Sequence, residues 1–235
     1  KMVSMGQMIE NIAHQWRQPL SLITTSASGI KLKKQLNDLD DEFLNKTLDG
    51  ILNTSKYLSN TIDDFRYFFK PQKEKEDFYL EKCCTKTIEL INPNFVSQNI
   101  KIIHKIENIK VTGYETELIQ VLINVLNNSK DALLSINNDE KLIFIDIFKK
   151  DDKAIIEIND NAGGIDEEIV HKVFEPYFTT KHQSQGTGIG LFMCREIINK
   201  HMNGQIEISN ATFEFNNKSY RGALVKITLE NIVKE

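Results

Sequence analysis

Cysteine, proline and tryptophan are scarce in this 235-residue chain, at 3, 4 and 1 residues, and each scarcity closes off a class of protein. Cys83 and Cys84 are adjacent and Cys194 is distant, a set that builds neither a disulfide framework nor a metal-ligand spacing. They read as buried thiols. Few prolines and 11 glycines exclude collagen-like and low-complexity chains, while 40% hydrophobic residues supply a full globular core. An excess of one charge is missing too: 29 basic against 33 acidic side chains give a formal charge of −4. No global positive field exists to hold nucleic acid or an anionic membrane, so neither is expected as a partner and any polyanion must be met locally. No apolar run approaches the ~20 residues that span a bilayer, and Lys1-Met2-Val3-Ser4 lacks the regions of a signal peptide. A portion working in the cytoplasm is expected.

From the start, Met5, Ile9, Ile12, Trp16, Pro19, Ile23, Ser26 and Ile30 alternate in steps of four and three, the spacing of a coiled-coil seam. After the acidic turn from Asn37 to Asp41, a second stripe reads Leu44, Leu48, Ile51, Ser55, Leu58, Ile62, Phe65 and Phe69. Two antiparallel helices of roughly thirty residues are predicted, each about 45 Å long at the helical rise. One hairpin would leave much of the seam, Tyr57 and Phe68 wet, so a homodimer making a four-helix bundle is expected. Because the stripe is already under way at the first residue, an upstream sensor or membrane segment is also expected.

Residues 71–76 follow as a charged, apolar-free hinge, separating a hairpin over 1–70 from a domain over 77–235. In that domain strands are predicted for Asp77–Leu80, Ile100–Glu107, Ile109–Thr112, Leu142–Lys149, Lys153–Asn159, Gln205–Asn210 and Ala223–Leu229. Helices are predicted for Glu81–Ser97, Glu115–Ile136 and Gly190–His201. The glycine-free Lys150-Asp151-Asp152 predicts an irregular turn. The fold class is α+β: a helical hairpin followed by an α/β sandwich with helices on one face of a mixed sheet.

Three constellations carry chemistry. His14 lies between the seam positions Ile12 and Trp16 and so points away from the stripe. An exposed histidine is ordinarily idle, but Pro19, five residues on, costs a helix interior roughly 3 kcal/mol and is either a tolerated kink or room made for a partner. Next, Asp160-Asn161-Ala162-Gly163-Gly164-Ile165 and Gln185-Gly186-Thr187-Gly188-Ile189-Gly190-Leu191 are glycine-rich, the second opening a helix whose amides can hold phosphate oxygens. A polar loop, Thr179 to Ser184, stands where a dinucleotide fold would have a strand, so that fold is rejected. Finally Asn124, Asn128 and Asp131 share one helix face, either a plain polar face or a donor set suited to Mg2+ beside nucleotide phosphates.

Taken together, these residues resemble the dimerisation and catalytic core of a sensor histidine kinase of a bacterial two-component system, over nearly the whole chain. His14-Gln15-Trp16-Arg17-Gln18-Pro19-Leu20 resembles the phosphoacceptor box, Asn124 to Asp131 the asparagine box and Asp160 to Ile165 the first glycine box. Phe174-Glu175-Pro176-Tyr177-Phe178-Thr179-Thr180-Lys181 resembles the phenylalanine box, and Gly186 to Leu191 the second glycine box. The resemblance implies an ATP-binding domain of the histidine kinase, Hsp90 and gyrase type. Asn128 would bind Mg2+, Asn124 and Asp131 would lie on the nucleotide face, Asp160 would meet the adenine amine, and Gly164 would let the base lie close. Phe174, Thr179, Thr180, Gly186, Thr187, Gly188, Ile189, Gly190 and Leu191 would frame the nucleotide, with 179–185 as a lid. His14 would take the γ-phosphate of ATP and pass it to an aspartate of a response regulator receiver domain. Phosphatase activity on that regulator is a further implication.

Several positions depart from the family pattern. Gln15 stands where a carboxylate usually accepts the proton, so either a carboxylate from elsewhere serves or transfer is slow. Gln18 replaces a Thr or Asn and could still orient water. Ala162 replaces a glycine and should narrow the adenine site slightly. Lys181 either meets the γ-phosphate or is an ordinary loop lysine. The related hydrolases carry Glu near position 124; Asn124 cannot deprotonate water, which favours transfer to imidazole over hydrolysis. A nucleotide-binding signalling scaffold without phosphotransfer is the other reading.

Overall fold

A computed structural model describes residues 2–68, 74–137, 140–180 and 188–233; the side chains of 2–15, 18, 57 and 60–68 lie outside that description. The described residues divide into two compact units, one of 2–68 with Thr179 and Thr180, the other of 74–178 with 188–233.

The first unit is a hairpin of α1 (Met2–Gln35) and α2 (Asp41–Phe68). α1 runs on through Pro19 and ends where Asn37 turns left-handed, at φ 53°. α2 starts on a side-chain cap, the Phe43 amide donating to Asp40 Oδ1 at 2.7 Å. Trp16, Pro19, Ile23, Ser26 and Ile30 are half-buried, as their spacing predicts. The α2 stripe needs correction. Its inward positions are Leu44, Thr47, Ile51, Thr54 and Leu58, whereas Leu48 is 42% exposed and Ser55 is exposed. Thr54 enters the seam because its hydroxyl donates to Gly50 O at 2.7 Å, leaving its methyl to pack. Met5, Ile9, Ile12, Tyr57, Ile62, Phe65 and Phe68 are seam or flank positions whose side chains lie outside the described residues, as does Phe69 entirely.

In the second unit, β2 (Ile100–Ile106), β4 (Lys141–Lys150), β5 (Lys153–Asp160), β7 (Lys218–Leu229) and β6 (Gly204–Phe215) form a sheet in the order β2-β4-β5-β7-β6. β2 runs parallel to β4 and the other pairs are antiparallel. β1 (Glu76–Tyr79) and β3 (Lys110–Gly113) pair separately, so Glu76, assigned above to the hinge, is strand; residues 71–73 of that hinge lie outside the described residues. α3 (Leu80–Ser97), α4 (Glu115–Ser135) and α5 (Gly190–Glu196), which continues as a π turn over Ile197–His201, complete the unit.

Alternation decides which face is buried. Ile143, Ile145, Ile147, Ile156, Ile158 and Ile227 point inward and join Leu118, Val121, Leu122 and Val125 of α4 and Phe95 of α3, all under 3% exposed. Each such side chain contributes roughly 1.5–3 kcal/mol by leaving water. The cysteines belong to this core; burial pushes the Cys84 thiol up to about 11 and Cys83 further, so both stay protonated and unreactive at neutral pH.

Two turns differ from expectation. Asp151 and Asp152 both adopt left-handed backbone, φ 49° and 56°, in a regular two-residue hairpin between the paired Lys150 and Lys153. Short polar side chains tolerate that conformation, so glycine is dispensable there. Asn216 and Asn217, φ 51° and 61°, make the same turn and join β6 to β7 in a hairpin of 12 residues per strand. The predicted strands stop at Asn210 and start again at Ala223, missing its outer half, where Phe213 and Phe215 each lie 5.0 Å from the Phe144 ring.

Candidate active site

α4 supplies one wall. Spacings of four and three put Asn124, Asn128 and Asp131 on a single face, opposite Leu118, Leu122 and Val125. All three are half-buried, a poor fit to a freely solvated polar face. Lys130 Nζ lies 4.0 Å from Asp131 Oδ1 and 5.8 Å from the centre of the Phe95 ring. The start of α5 adjoins this wall: a Cβ on Gly190 would stand 3.6 Å from Asn124 Oδ1, and the Cys194 thiol lies 3.8 Å from Val121 O.

The loop after β5 supplies the second wall. Asp160 is 3% exposed, its Oδ1 accepting from the amides of Ala162 at 3.0 Å and Ala223 at 3.2 Å, and its carboxylate from the Ser129 hydroxyl of α4. Asn161 pins the loop to β4, with its Oδ1 accepting from Leu142 N–H at 2.8 Å and its Nδ2 donating to Glu140 O at 2.9 Å. Gly163 and Gly164 then turn at φ 87° and 91°, conformations that favour glycine. The Gly163 amide donates to Arg221 O at 2.9 Å. Ala162 needs no such conformation; it packs on the core and borders a cavity of about 490 Å³ with Ile136, Tyr220 and Arg221, among others. That lining includes none of Asn124, Asn128 or Asp160.

Burial holds the Asp160 carboxyl above the usual carboxylate range, against the opposing pull of the two amides and the Ser129 hydroxyl. An acid with a raised folded pKa binds its proton more tightly folded than unfolded. Stability therefore falls as pH rises from the ordinary aspartate range through the folded value. At neutral pH the ionised carboxylate destabilises the fold, and Asp160→Asn is expected to melt at a higher temperature than the parent at pH 7. The gap should shrink below about pH 4, where both states of the parent are protonated. Melting curves at the two pH values check this; an equal or lower melting temperature at pH 7 contradicts it.

The third element is the stretch around the phenylalanine box. Phe174 is buried in the core with the Arg195 guanidinium 5.6 Å from its ring centre, so its ring is taken up by packing. Tyr177 has φ 70°, rare for a bulky residue, and its amide donates to Gly188 O at 2.8 Å. A Cβ on Gly188, itself at φ 63°, would come within 2.4 Å of the Tyr177 carbonyl carbon, so this glycine permits a backbone contact. Thr179 is half-buried and Thr180 exposed. Ile189 is 1% exposed, its carbonyl accepting from Met193 N–H at 2.9 Å, and Leu191 packs against the core. The helix opens at Gly190, later than the box as a whole.

Asn124, Asn128, Asp131, Asp160, Gly164, Gly188 and Gly190 thus belong to elements joined directly to α4 or to the loop beside it. His14, Gln15 and Gln18 sit on α1, in the other unit, and their side chains lie outside the described residues, as do Lys181, Gly186 and Thr187 altogether. Sequence reasoning missed Ser129, Tyr177, Asn210 and Gly222. Ser129 directly follows Asn128, and Gly222 is an isolated strand glycine, a signal of close backbone approach.

Residues 4–74 match the His Kinase A (phospho-acceptor) domain, and residues 113–231 match the histidine kinase-, DNA gyrase B-, and HSP90-like ATPase family. The signal transduction histidine-protein kinase AtoS of Escherichia coli is 28% identical over 214 residues, covering 89% of this chain and 33% of that protein. The two-component sensor PprA of Pseudomonas aeruginosa is 25% identical over 216 residues, covering 89% and 23%. The chain therefore spans about a quarter to a third of the length of these relatives. Among solved structures, the nucleotide-free catalytic domain of histidine kinase ThkA superposes with TM-score 0.55 at 27% identity, over 67% of this chain and 95% of that one. ThkA in complex with the response regulator TrrA superposes with TM-score 0.69 at 24% identity, over 97% and 62%, a likeness of fold. A phospho-acceptor match is followed in the same chain by an ATPase match, and the chain belongs to the sensor histidine kinases of bacterial two-component systems.

Proposed function

We propose that this chain is an autophosphorylating protein histidine kinase: it binds ATP with Mg2+ in the second unit, accepts the γ-phosphate on His14 and passes it to an aspartate of a response regulator receiver domain. The observation that carries this reading is the pair of half-buried amides, Asn124 and Asn128, beside the buried Asp160 carboxylate. Asn128 offers an amide oxygen of the kind Mg2+ takes alongside phosphates and water, and the ion would neutralise phosphate charge. Asn124 cannot deprotonate water, so the site lacks at this position the base that hydrolysis needs. Asp160, held by the amides of Ala162 and Ala223, presents a fixed acceptor for an exocyclic amine. Gly164 admits a base ring against its backbone. Asp160→Asn, stabilising in the absence of nucleotide, is expected to lose most of its ATP affinity by trading an acceptor for a donor.

The imidazole of His14 would act as nucleophile, its proton leaving to a group other than Gln15, whose amide is no base. Gln18 would orient water for regulator dephosphorylation and Lys181 would meet the γ-phosphate. The hairpin of residues 1–70 would pair with a second copy in a four-helix bundle, residues 71–75 would be the hinge and 76–235 the catalytic domain. Leu20, Leu22, Leu32, Leu36, Leu48 and Leu52 are 42–66% exposed on the single hairpin and fit such a partner. Its nucleotide and its regulator place its work in the cytoplasm.

Incubation with γ-labelled ATP and Mg2+ tests the reading. Acid-labile, alkali-stable label is expected on the chain and is expected to move to a receiver domain. ATP binding without label would select the scaffold reading.

A further inference from the structure

We propose that Asn210 is a positioning residue for the nucleotide-binding loop: its side-chain amide selects the conformation of Gly163–Gly164 and so sets ATP affinity without touching the nucleotide. This deepens the proposed function and rests on it.

Asn210 lies on β6 opposite Ala223 of β7, in phase with the inward Ile206 and Ile208. Alternation calls for an apolar side chain there, and an amide stands instead. Its Oδ1 accepts from Ile165 N–H at 2.7 Å and its Nδ2 donates to Ile165 O at 2.7 Å, a closed two-bond pairing that treats Ile165 as a neighbouring strand residue. Nδ2 also donates to Glu167 Oε1 at 3.1 Å. The residue before Ile165 makes room for this: a Cβ on Gly164 would fall 2.5 Å from Asn210 Oδ1 and 3.0 Å from its Cγ. Gly164 therefore serves the amide as well as any bound base.

Consecutive glycines leave a loop many conformations. Upstream, this loop is fixed at Asp160 and Asn161 by strand pairing and side-chain bonds, and Gly163 donates to Arg221 O. Downstream, the Asn210 clamp closes the turn, so β6 and β7 together hold both sides of the glycine pair. Removing it gives the loop freedom that a ligand must then restrict. Two lost hydrogen bonds in a part-buried site correspond to about a tenfold loss of affinity.

The test compares Asn210→Ala and Asn210→Asp with the parent in the full chain. Asp has the shape of Asn but keeps only the acceptor for Ile165 N–H, and it sets a carboxylate against Ile165 O and Glu167. Both variants are expected to raise the KM for ATP about tenfold in autophosphorylation while leaving kcat at saturating ATP unchanged, and to speed amide exchange at Ile165 in the nucleotide-free protein. Adding Glu167→Gln to Asn210→Asp should recover part of the loss. A silent Asn210→Asp means the side chain only fills space and overturns the proposal; so does a fall in kcat at unchanged KM, or unaltered exchange at Ile165. If the parent binds no ATP, the kinase reading fails and the affinity claim with it, while exchange at Ile165 still reports on the clamp.

Discussion

His14→Gln is expected to carry no acid-labile label after incubation with γ-labelled ATP, a loss of at least about a hundredfold against the parent, because an amide nitrogen has no lone pair free to attack phosphorus. Glutamine is a good helix former and keeps a polar side chain on α1, so the hairpin should persist. The residues proposed to hold the nucleotide, Asn124, Asn128 and Asp160, lie in the other unit, so ATP affinity should stay at the parental level. Separation of label from affinity gives the experiment its force: a variant that fails to bind ATP has been damaged as a whole. Label that persists in His14→Gln moves the acceptor elsewhere and ends the assignment.

Gly222→Ala is expected to destabilise the second unit by about 3 kcal/mol or more, roughly 10 °C in melting temperature, and to abolish ATP binding. The methyl carbon would sit 1.5 Å from Asp160 O, 2.5 Å from its carbonyl carbon and 3.0 Å from Oδ1. These are atoms at the end of β5, beside the pair Asn159–Leu224, and they can retreat only if β5 and β7 part. Parting them removes the Ala223 amide from the Asp160 carboxylate. Gly163→Ala is the useful contrast. Its φ of 87° is as unfavourable for alanine as any here, yet nothing lies within 4 Å of the added atom, so the cost is backbone strain of about 1–2 kcal/mol. Should Gly222→Ala melt within a degree or two of the parent and bind ATP normally, the close packing of these strands would be wrong.

Much of this was legible in the residues. The 4-3 spacing of α1, the strands around Ile143 and Ile156, and the polar row on α4 follow from periodicity, because one buried face imposes one period. Where legibility failed, the hydrophobic pattern had stopped describing a single face. In β6 the apolar phase shifts from Ile206 and Ile208 to Phe213 and Phe215, because the strand passes from covering the helices to packing on Phe144 across the sheet. In α2, Thr47 and Thr54 took seam positions where Leu48 and Ser55 were expected, the Thr54 hydroxyl being satisfied within its own helix. Asn161 and Asn210 read as loop and strand polar residues, yet both act as substitutes for main chain, making paired bonds to Glu140, Leu142 and Ile165. Their partners are distant in sequence, and no local pattern announces them.

The meeting of Tyr177 with Gly188 has an evolutionary corollary. Backbone leaves the domain and re-enters it at one welded point, where an amide proton and a missing methyl group fix the two ends together. Two positions must therefore be conserved to keep the chain's exit and return together, one for its amide and one for its bare α-carbon.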